Sequence, residues 1–130
     1  MMRILMFYDG TEYTKEALPV VKMHAKAFNA QVDVVSSLPK GGESQLKEIE
    51  SMENELAYIK GILDKEKIPC ETHLLIKGHD AGEDIVRFAK EHKVDEIIIG
   101  TEKKSRVEKF ILGSVAQYAI INAKCPVIII

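Results

Sequence analysis

Three consecutive isoleucines, at positions 97 to 99, most strongly constrain what this chain can fold into. They follow Glu96 and end at Gly100, so the apolar run is short and stops at a residue that interrupts regular structure. Because the run does not alternate with polar residues, it is typical of a strand covered on both faces of its sheet. The run therefore predicts an interior strand with other elements packed on either side.

Four more apolar runs read as strands, and segments with helical periodicity separate them. The strand candidates are Arg3 to Tyr8, Gln31 to Leu38, Pro69 to Ile76 and Cys125 to Ile130, in addition to Val94 to Ile99. The clearest helical stripe is Leu46, Ile49, Met52, Leu56, Ile59 and Leu63. Pro19 interrupts the first helical pattern, so we expect a kink or a later helix start there. This alternation predicts one α/β domain over residues 1–130, with a parallel sheet and helices on both faces.

The composition excludes several classes of function. The 130 residues are 46% hydrophobic and 29% charged, with a net charge of -2 and a pI of about 6.1. This balance gives no overall attraction to nucleic acid or to an anionic membrane. No apolar run approaches the roughly 20 residues of a membrane helix, and the first apolar run reads as a strand rather than a signal peptide. The four histidines and the distant Cys70 and Cys125 have no metal or redox spacing, so we expect reduced thiols, a cytoplasmic location and no metal site.

The segment from Gly100 to Val115 has the composition of an anion site. A strand runs into a glycine, a basic loop follows, and Gly113-Ser114 opens the next helix. Glycine allows the backbone to approach a phosphate closely, and the N–H groups of a helix start point toward it. Ligands of parallel α/β sheets bind beyond the carboxyl ends of the strands. If the first and fourth strands are neighbours, Asp9 and Gly100 face one crevice.

The chain resembles the universal stress protein family over its whole length, most specifically in its last third. The nucleotide-binding pattern of that family is glycine, two residues, glycine, nine residues, then glycine and Ser or Thr. Gly100 and Gly113-Ser114 match the outer parts of the pattern, whereas Lys103 stands at the middle glycine. The turn Asp9-Gly10-Thr11, the Gly78 turn and Cys125-Pro126-Val127 also lie where the family has similar residues.

The resemblance implies a fold, a ligand and a partner. The implied fold is a five-stranded parallel sheet of order 3-2-1-4-5, which is Rossmann-like and similar to the adenine nucleotide alpha hydrolases. The implied ligand is ATP or a related adenine nucleotide, with or without magnesium, and the implied partner is a second copy paired through Val127 to Ile130. The nucleotide-binding residues carried over are Phe7, Asp9, Ser37, Gly100, Thr101, Lys103, Gly113, Ser114 and Val115.

Each site residue also has a structural interpretation. Asp9 can hold an Asx turn, Thr101 can cap the turn after its strand, and Ser114 can cap its helix. Phe7 and Ser37, expected beside the adenine, also suit ordinary strand ends. Lys103 either fills the space of the phosphates or supplies a charge to them, and Lys104 and Arg106 read as a solvated loop.

Three other functions compete with nucleotide binding. Lys103 favours a dimeric stress protein that binds no nucleotide and acts through protein–protein contacts. A phospho-receiver domain has the same fold class, but the third strand ends in Ile76-Lys77 rather than in an acid. An enzyme has the least support, because no nucleophile–base pair or metal motif is recognisable and His79 reads as a turn residue. Any ATP hydrolysis is expected to be slow, since no general base for phosphoryl transfer is evident.

Overall fold

Strands and helices alternate along the chain, as the sequence predicts. The computed structural model describes residues 1–42, 44–103 and 112–130. In chain order the elements are β1 (Arg3–Phe7), α1 (Glu12–Lys15), α2 (Leu18–Phe28), β2 (Gln31–Ser37), α3 (Gln45–Lys65), β3 (Cys70–Leu75), α4 (Ala81–Glu91), β4 (Glu96–Ile99), α5 (Ser114–Asn122) and β5 (Val127–Ile129).

The five strands form one parallel sheet in the order β3-β2-β1-β4-β5. Strand β1 is central, with Leu5 opposite Asp33 of β2 on one side and Ile97 of β4 on the other. The expected fold class and strand order are therefore confirmed. Because β2 and β3 lie on one side of β1 whereas β4 and β5 lie on the other, the sheet has its switch point between β1 and β4.

Helices cover both faces of the sheet, and each face has its own apolar core. Alternating β1 residues point to opposite faces, so Ile4 and Met6 pack with α2 and α3, whereas Leu5 and Phe7 pack with α4 and α5. The three isoleucines of β4 expose 0%, 0% and 2% of their surface in turn. Their burial confirms the interior strand that the uninterrupted apolar run predicts.

Helix α3 follows the predicted apolar stripe over most of its length. Met52, Leu56, Ile59 and Leu63 are buried against the sheet, whereas Leu46 at the start of the helix is 74% exposed. The prediction was wrong for Leu46, which lies in the first turn beyond the edge of the core. Among the described residues, no helix combines the length and the apolar character needed to cross a membrane.

Local sequence signals explain the helix ends. Pro19 lies in the first turn of α2, which begins only at Leu18, so the proline shifts the helix start as expected. Asn29 ends α2 with a left-handed φ of 51°. The capping position of α5 is Gly113, with extended backbone, so the prediction that Ser114 is the N-cap was wrong by one residue. Asp80 occupies the N-cap position of α4 without a side-chain capping bond.

Candidate functional site

The carboxyl edge of the sheet brings the predicted site residues together. Strands β1 and β4 pair in parallel, so Asp9 and Gly100 follow their ends at the same edge. Helix α5 runs back from this edge to the parallel strand β5, so its N-terminus lies at the same edge. The predicted placement of Asp9 and Gly100 at one edge, beside the switch point of the sheet, is therefore confirmed, and this region is called the crevice below.

Asp9 organises the turn between β1 and α1. Its Oδ1 accepts hydrogen bonds from the backbone N–H of Thr11 at 3.0 Å and from the hydroxyl of Thr14 at 2.9 Å. Thr11 in turn caps α1, because its hydroxyl oxygen accepts from the N–H of Thr14. The Asx-turn role of Asp9 is thus present, and the residue itself remains exposed to solvent.

Gly100 is required by a close approach of the backbone. A Cβ at this position would lie 2.0 Å from the carbonyl oxygen of Tyr13 and 3.0 Å from Cα of Thr14. Helix α1 is therefore seated directly on the end of β4, where no side chain fits. The glycine that the sequence assigned to a phosphate also has this packing role.

Thr101 ties the end of β4 to the end of β5. Its backbone N–H donates to the carbonyl oxygen of Ile130 at 2.8 Å, and its hydroxyl donates to the same oxygen at 3.0 Å. The residue is only 5% exposed. Its hydroxyl proton is thus already used within the protein, which is the turn-capping interpretation.

The start of α5 presents backbone donors to solvent. Gly113 and Ser114 are exposed, and no atom of a described residue lies within 4 Å of a Cβ built on Gly113. The first N–H groups of a helix have no partner inside the helix, and no described residue accepts from the N–H groups of Ser114 or Val115. The first turn of α5 carries no acidic residue, unlike that of α4 with Glu83 and Asp84. Within the described first turn of α5, no negative charge therefore compensates this end of the helix dipole.

Lys103 is exposed and lies two residues after Thr101, beyond the carboxyl end of β4. It is not among the described non-glycine residues with positive φ, which are Asn29, Lys67 and Lys93. A lysine is therefore tolerated here without the backbone strain that a left-handed conformation would impose. Lys104 and Arg106, read as a solvated loop, lie outside the described residues.

Phe7 and Ser37 lie at the ends of adjacent strands, but both side chains are engaged elsewhere. Phe7 is 3% exposed in the core beneath α4 and α5. The Ser37 hydroxyl donates to Oδ2 of Asp84 at 2.7 Å. Asp84 is buried, and its Oδ1 has no hydrogen-bond partner among the described residues. The sequence analysis missed Asp84, although its i,i+4 spacing to Phe88 placed it on the inner face of α4.

A sequence model of the universal stress protein family matches residues 1–130. The chain belongs to this family. It is also 31% identical, over 98% of its own length and 96% of the relative, to a Thermus aquaticus protein named as a universal stress protein in the QAH/OAS sulfhydrylase 3' region. The family membership removes the phospho-receiver alternative.

Solved structures of universal stress proteins share the whole fold. A universal stress protein from Archaeoglobus fulgidus has a TM-score of 0.85 at 34% identity, with 99% of this chain and 93% of that chain covered. A universal stress protein from the same organism, solved in complex with dAMP, has a TM-score of 0.81 at 32% identity, with 99% and 97% covered. The adenine nucleotide alpha hydrolase-like fold expected from the sequence is thus shown.

The amino edge of the sheet carries a second polar cluster, far from the crevice. Among the described residues, one group of carboxylates and histidine lies close enough to hold a metal ion, and it consists of Asp33, Glu71 and His73. The guanidinium of Arg3 already occupies this position, since its Nε and Nη2 donate to the two Asp33 oxygens at 3.0 and 2.9 Å. His73 Nε2 lies 3.1 Å from Asp33 Oδ1. The cluster is therefore an ion-pair network rather than a site that attracts a cation.

The surroundings of both cysteines favour the protonated thiol. Burial raises the pKa of the Cys70 thiol to about 12 and also raises the pKa of the Cys125 thiol. Because the thiolate is the reactive form, the raised pKa values disfavour reaction of both thiols at neutral pH. Cys70 belongs to the apolar core that α2 and α3 cover, and Cys125 packs against the core that α4 and α5 cover.

Proposed function

We propose that the crevice binds an adenine nucleotide, with its phosphates at the start of α5. The observation that carries this proposal is the exposed N-terminus of α5, where Ser114 and Val115 present N–H groups that no described residue satisfies. Such a helix end is a ready site for a phosphate, and its first turn holds no competing acid. Among the described residues, Gly113 leaves the approach open, since none of their atoms lies within 4 Å of the position of its missing Cβ.

The A. fulgidus universal stress protein that binds dAMP supports the choice of ligand. It shares the fold and 32% of aligned residues with this chain. The Asp9 carboxylate is assigned to the ribose through Oδ2, because Oδ1 is held by the turn. The side chains of Phe7 and Ser37 are turned into the protein, so these residues reach the adenine only through their backbone. ATP with magnesium is one candidate within this class of ligand.

Calorimetry with AMP, dAMP and ATP, each with and without magnesium, tests the proposal, and GMP serves as the comparison base. We expect the adenine nucleotides to bind and GMP to bind more weakly. Ser114→Asp places a negative charge at the start of α5 and should weaken binding by about tenfold. Ser51→Asp, the same change on the exposed face of α3, is the matched control. Absence of binding by every adenine nucleotide would overturn the proposal.

The proposed physiological role is regulatory or protective in the stress response, which fits the family. A second candidate is a stress protein that binds no nucleotide and acts through protein contacts, and Lys103 is the residue that favours it. Lys103→Gly restores the family glycine and separates the two. A large gain in affinity on this substitution would favour the second candidate for the natural chain. Tight binding by the natural chain with no change would show that Lys103 is compatible with the phosphates.

We also propose that two copies pair through β5. This strand lies at the edge of the sheet, its residues are only partly buried, and Ile121 on the preceding helix is 79% exposed. An apolar edge strand with unpaired backbone groups tends to acquire a partner. The N–H of Ile130 donates to Ile99, so the N–H of Ile129 points outward from the sheet. Ile129→Pro should therefore abolish the dimer in light scattering and preserve the fold, whereas a natural chain that is monomeric would refute the pairing.

A further inference from the structure

A groove of about 400 Å³ lies between α4 and α5, on the face of the sheet opposite α2 and α3. Its apolar lining consists of Val86, Ala89, Val94, Tyr118 and Cys125, and its polar lining consists of Arg87, Lys90, Lys93, Asn122 and Lys124. The groove combines an apolar floor with a rim that is almost entirely positive. Nothing in nucleotide binding makes use of it.

Close packing of the two helices holds the groove in place. A Cβ at Gly82 would lie 2.8 Å from Cβ of Tyr118, so the glycine lets α4 approach α5 at this point. Tyr118 is half-buried by that contact and forms part of the groove lining. The floor is therefore supported by helix packing and is not formed by a loop.

The rim is positively charged, although the chain as a whole carries a negative net charge. Arg87, Lys90, Lys93 and Lys124 are all exposed, and no carboxylate is among the residues that line the groove. None of the four forms an ion pair with a described residue, although the chain as a whole has a net charge of -2. Lys90 complements the dipole at the end of α4. That effect does not account for Arg87 in the middle of the helix or for Lys124 beyond α5.

The groove lies away from the nucleotide crevice. Its lining comes largely from the C-terminal halves of α4 and α5, which end at the amino edge of the sheet, whereas the crevice faces the first residues of α5. A ligand in the groove therefore contacts different residues from a nucleotide. The two surfaces can be tested independently.

We propose that this groove docks an acidic segment of a partner protein, whose apolar side chains rest on the floor while its carboxylates pair with the rim. Charge complementarity selects an acidic partner, and the apolar floor selects one that also carries aliphatic or aromatic residues. Nucleic acid fits less well, because its binding surfaces extend positive charge along a backbone and offer aromatic platforms for bases. Here Tyr118 is the aromatic residue of the lining, and it is half-buried.

Titration of the ¹⁵N-labelled protein with a capped peptide of repeated Glu-Leu-Glu units tests the proposal by chemical-shift mapping and fluorescence anisotropy. We expect shifts on α4 and α5 at the groove and binding that weakens with salt. The double substitution Arg87→Glu with Lys90→Glu should lower the affinity for the peptide by about tenfold. Lys47→Glu with Lys65→Glu on α3 makes the same charge change at exposed positions outside the groove and should leave the affinity unchanged. Lys124→Glu, which lies outside any helix, replaces the first pair if that pair is unstable.

Two further probes test the apolar floor and the class of partner. A Glu-Ala-Glu peptide of the same length should bind more weakly than the Glu-Leu-Glu peptide, because alanine buries less apolar surface. Single-stranded oligonucleotides and phosphatidylserine vesicles should bind less well than the acidic peptide. The proposal would be overturned if the groove variant and the α3 variant bound the peptide equally well, or if the two peptides bound with equal affinity. Tighter binding of the oligonucleotide or the vesicle at this groove would also overturn it.

Discussion

The two edges of the sheet treat polar groups in opposite ways. At the amino edge, the carboxylate of Asp33 is fully buried and is bonded by Arg3 and His73. At the carboxyl edge, Asp9 and Ser114 are exposed, and the first N–H groups of α5 have no described acceptor. The polar groups of one edge are bonded within the protein, whereas those of the other edge face solvent, where the proposed nucleotide would bind.

This difference separates stability from ligand binding along the same strands. A buried charge without partners is costly, so the network at the amino edge must be complete for the protein to fold. Exposed polar groups are hydrated, so leaving them without a protein partner costs little free energy. We therefore expect substitutions at the amino edge to change the free energy of unfolding, and substitutions at the carboxyl edge to change nucleotide affinity.

The largest effect is expected from Arg3→Met. The substitution leaves the buried Asp33 carboxylate with His73 and without the guanidinium, and breaking one partner of a buried pair costs about 3 to 5 kcal/mol. Chemical denaturation measures the loss, and calorimetry should show unchanged nucleotide affinity in the folded fraction. Arg87→Met, at an exposed position without a described ion pair, is the control and should change stability by less than about 0.5 kcal/mol. If the two variants were equally stable, the ion-pair network at the amino edge would not make the proposed contribution to the free energy of unfolding.

The next largest loss of stability is expected from Gly100→Ala, and Gly113→Ala is its matched control. The added methyl at Gly100 meets the Tyr13 carbonyl at 2.0 Å and forces α1 away from β4, at a cost of about 3 kcal/mol. The same methyl at Gly113 meets no atom within 4 Å in the part of the chain that the structure describes. Thermal unfolding compares the two variants directly. Because α1 carries the Asp9 turn, Gly100→Ala should also weaken nucleotide binding, which makes this glycine the exception that couples the two properties.

Much of the fold was predictable because it depends on local patterns. The isoleucine run of β4, the shifted start of α2 at Pro19 and the end of α2 at Asn29 follow from periodicity and backbone preference. The strand order came from family resemblance and was confirmed. The expected position of Asp9 and Gly100 at one edge followed from that order.

Other features depended on tertiary contacts that a linear pattern does not contain. Arg3 and Asp33 form an ion pair because β1 and β2 pair in a particular register, and the sequence of either strand alone does not predict this contact. The close approach of Tyr13 to Gly100 likewise depends on where α1 is seated. The orphaned oxygen of Asp84 is visible only once α4 has packed against the sheet. Site roles inferred from motifs were therefore incomplete wherever a residue also serves the packing.

Asp9→Ala should have a smaller effect on stability and a clear effect on binding. The substitution removes the acceptor for the Thr11 N–H and the partner of the Thr14 hydroxyl in an exposed turn, which costs about 1 kcal/mol. It should weaken nucleotide binding by about tenfold through loss of the ribose contact. Asp80→Ala is the matched control, because Asp80 also precedes a helix but forms no capping bond. If both variants bind nucleotide like the natural chain, Asp9 serves the turn alone.

The smallest expected effect is the dependence of stability on acid pH. Burial opposes ionisation of Asp33, but the hydrogen bonds from His73 and Arg3 outweigh it, so its pKa lies below the usual value. A lowered carboxyl pKa contributes stability that is present above the unfolded pKa of about 4 and is lost as the pH falls through the folded pKa. Hydrogen bonds from Lys22 and Lys26 lower the pKa of the partly exposed Glu66 to about 2, which adds to the same slope.

The two contributions can be separated by salt. The Glu66 side chain is 32% exposed whereas that of Asp33 is fully buried, so high salt should screen the Glu66 pairs with the lysines more strongly than the Asp33 pair. Unfolding free energies measured between about pH 5 and pH 2 should fall less steeply in Asp33→Asn than in the natural chain at high salt. Glu66→Gln should flatten the slope only at low salt. If the unfolding free energy of Asp33→Asn at high salt falls with pH as steeply as that of the natural chain, the titrating group lies outside the amino-edge network. The contrast between the two edges would then depend on geometry alone and not on the pH dependence of stability.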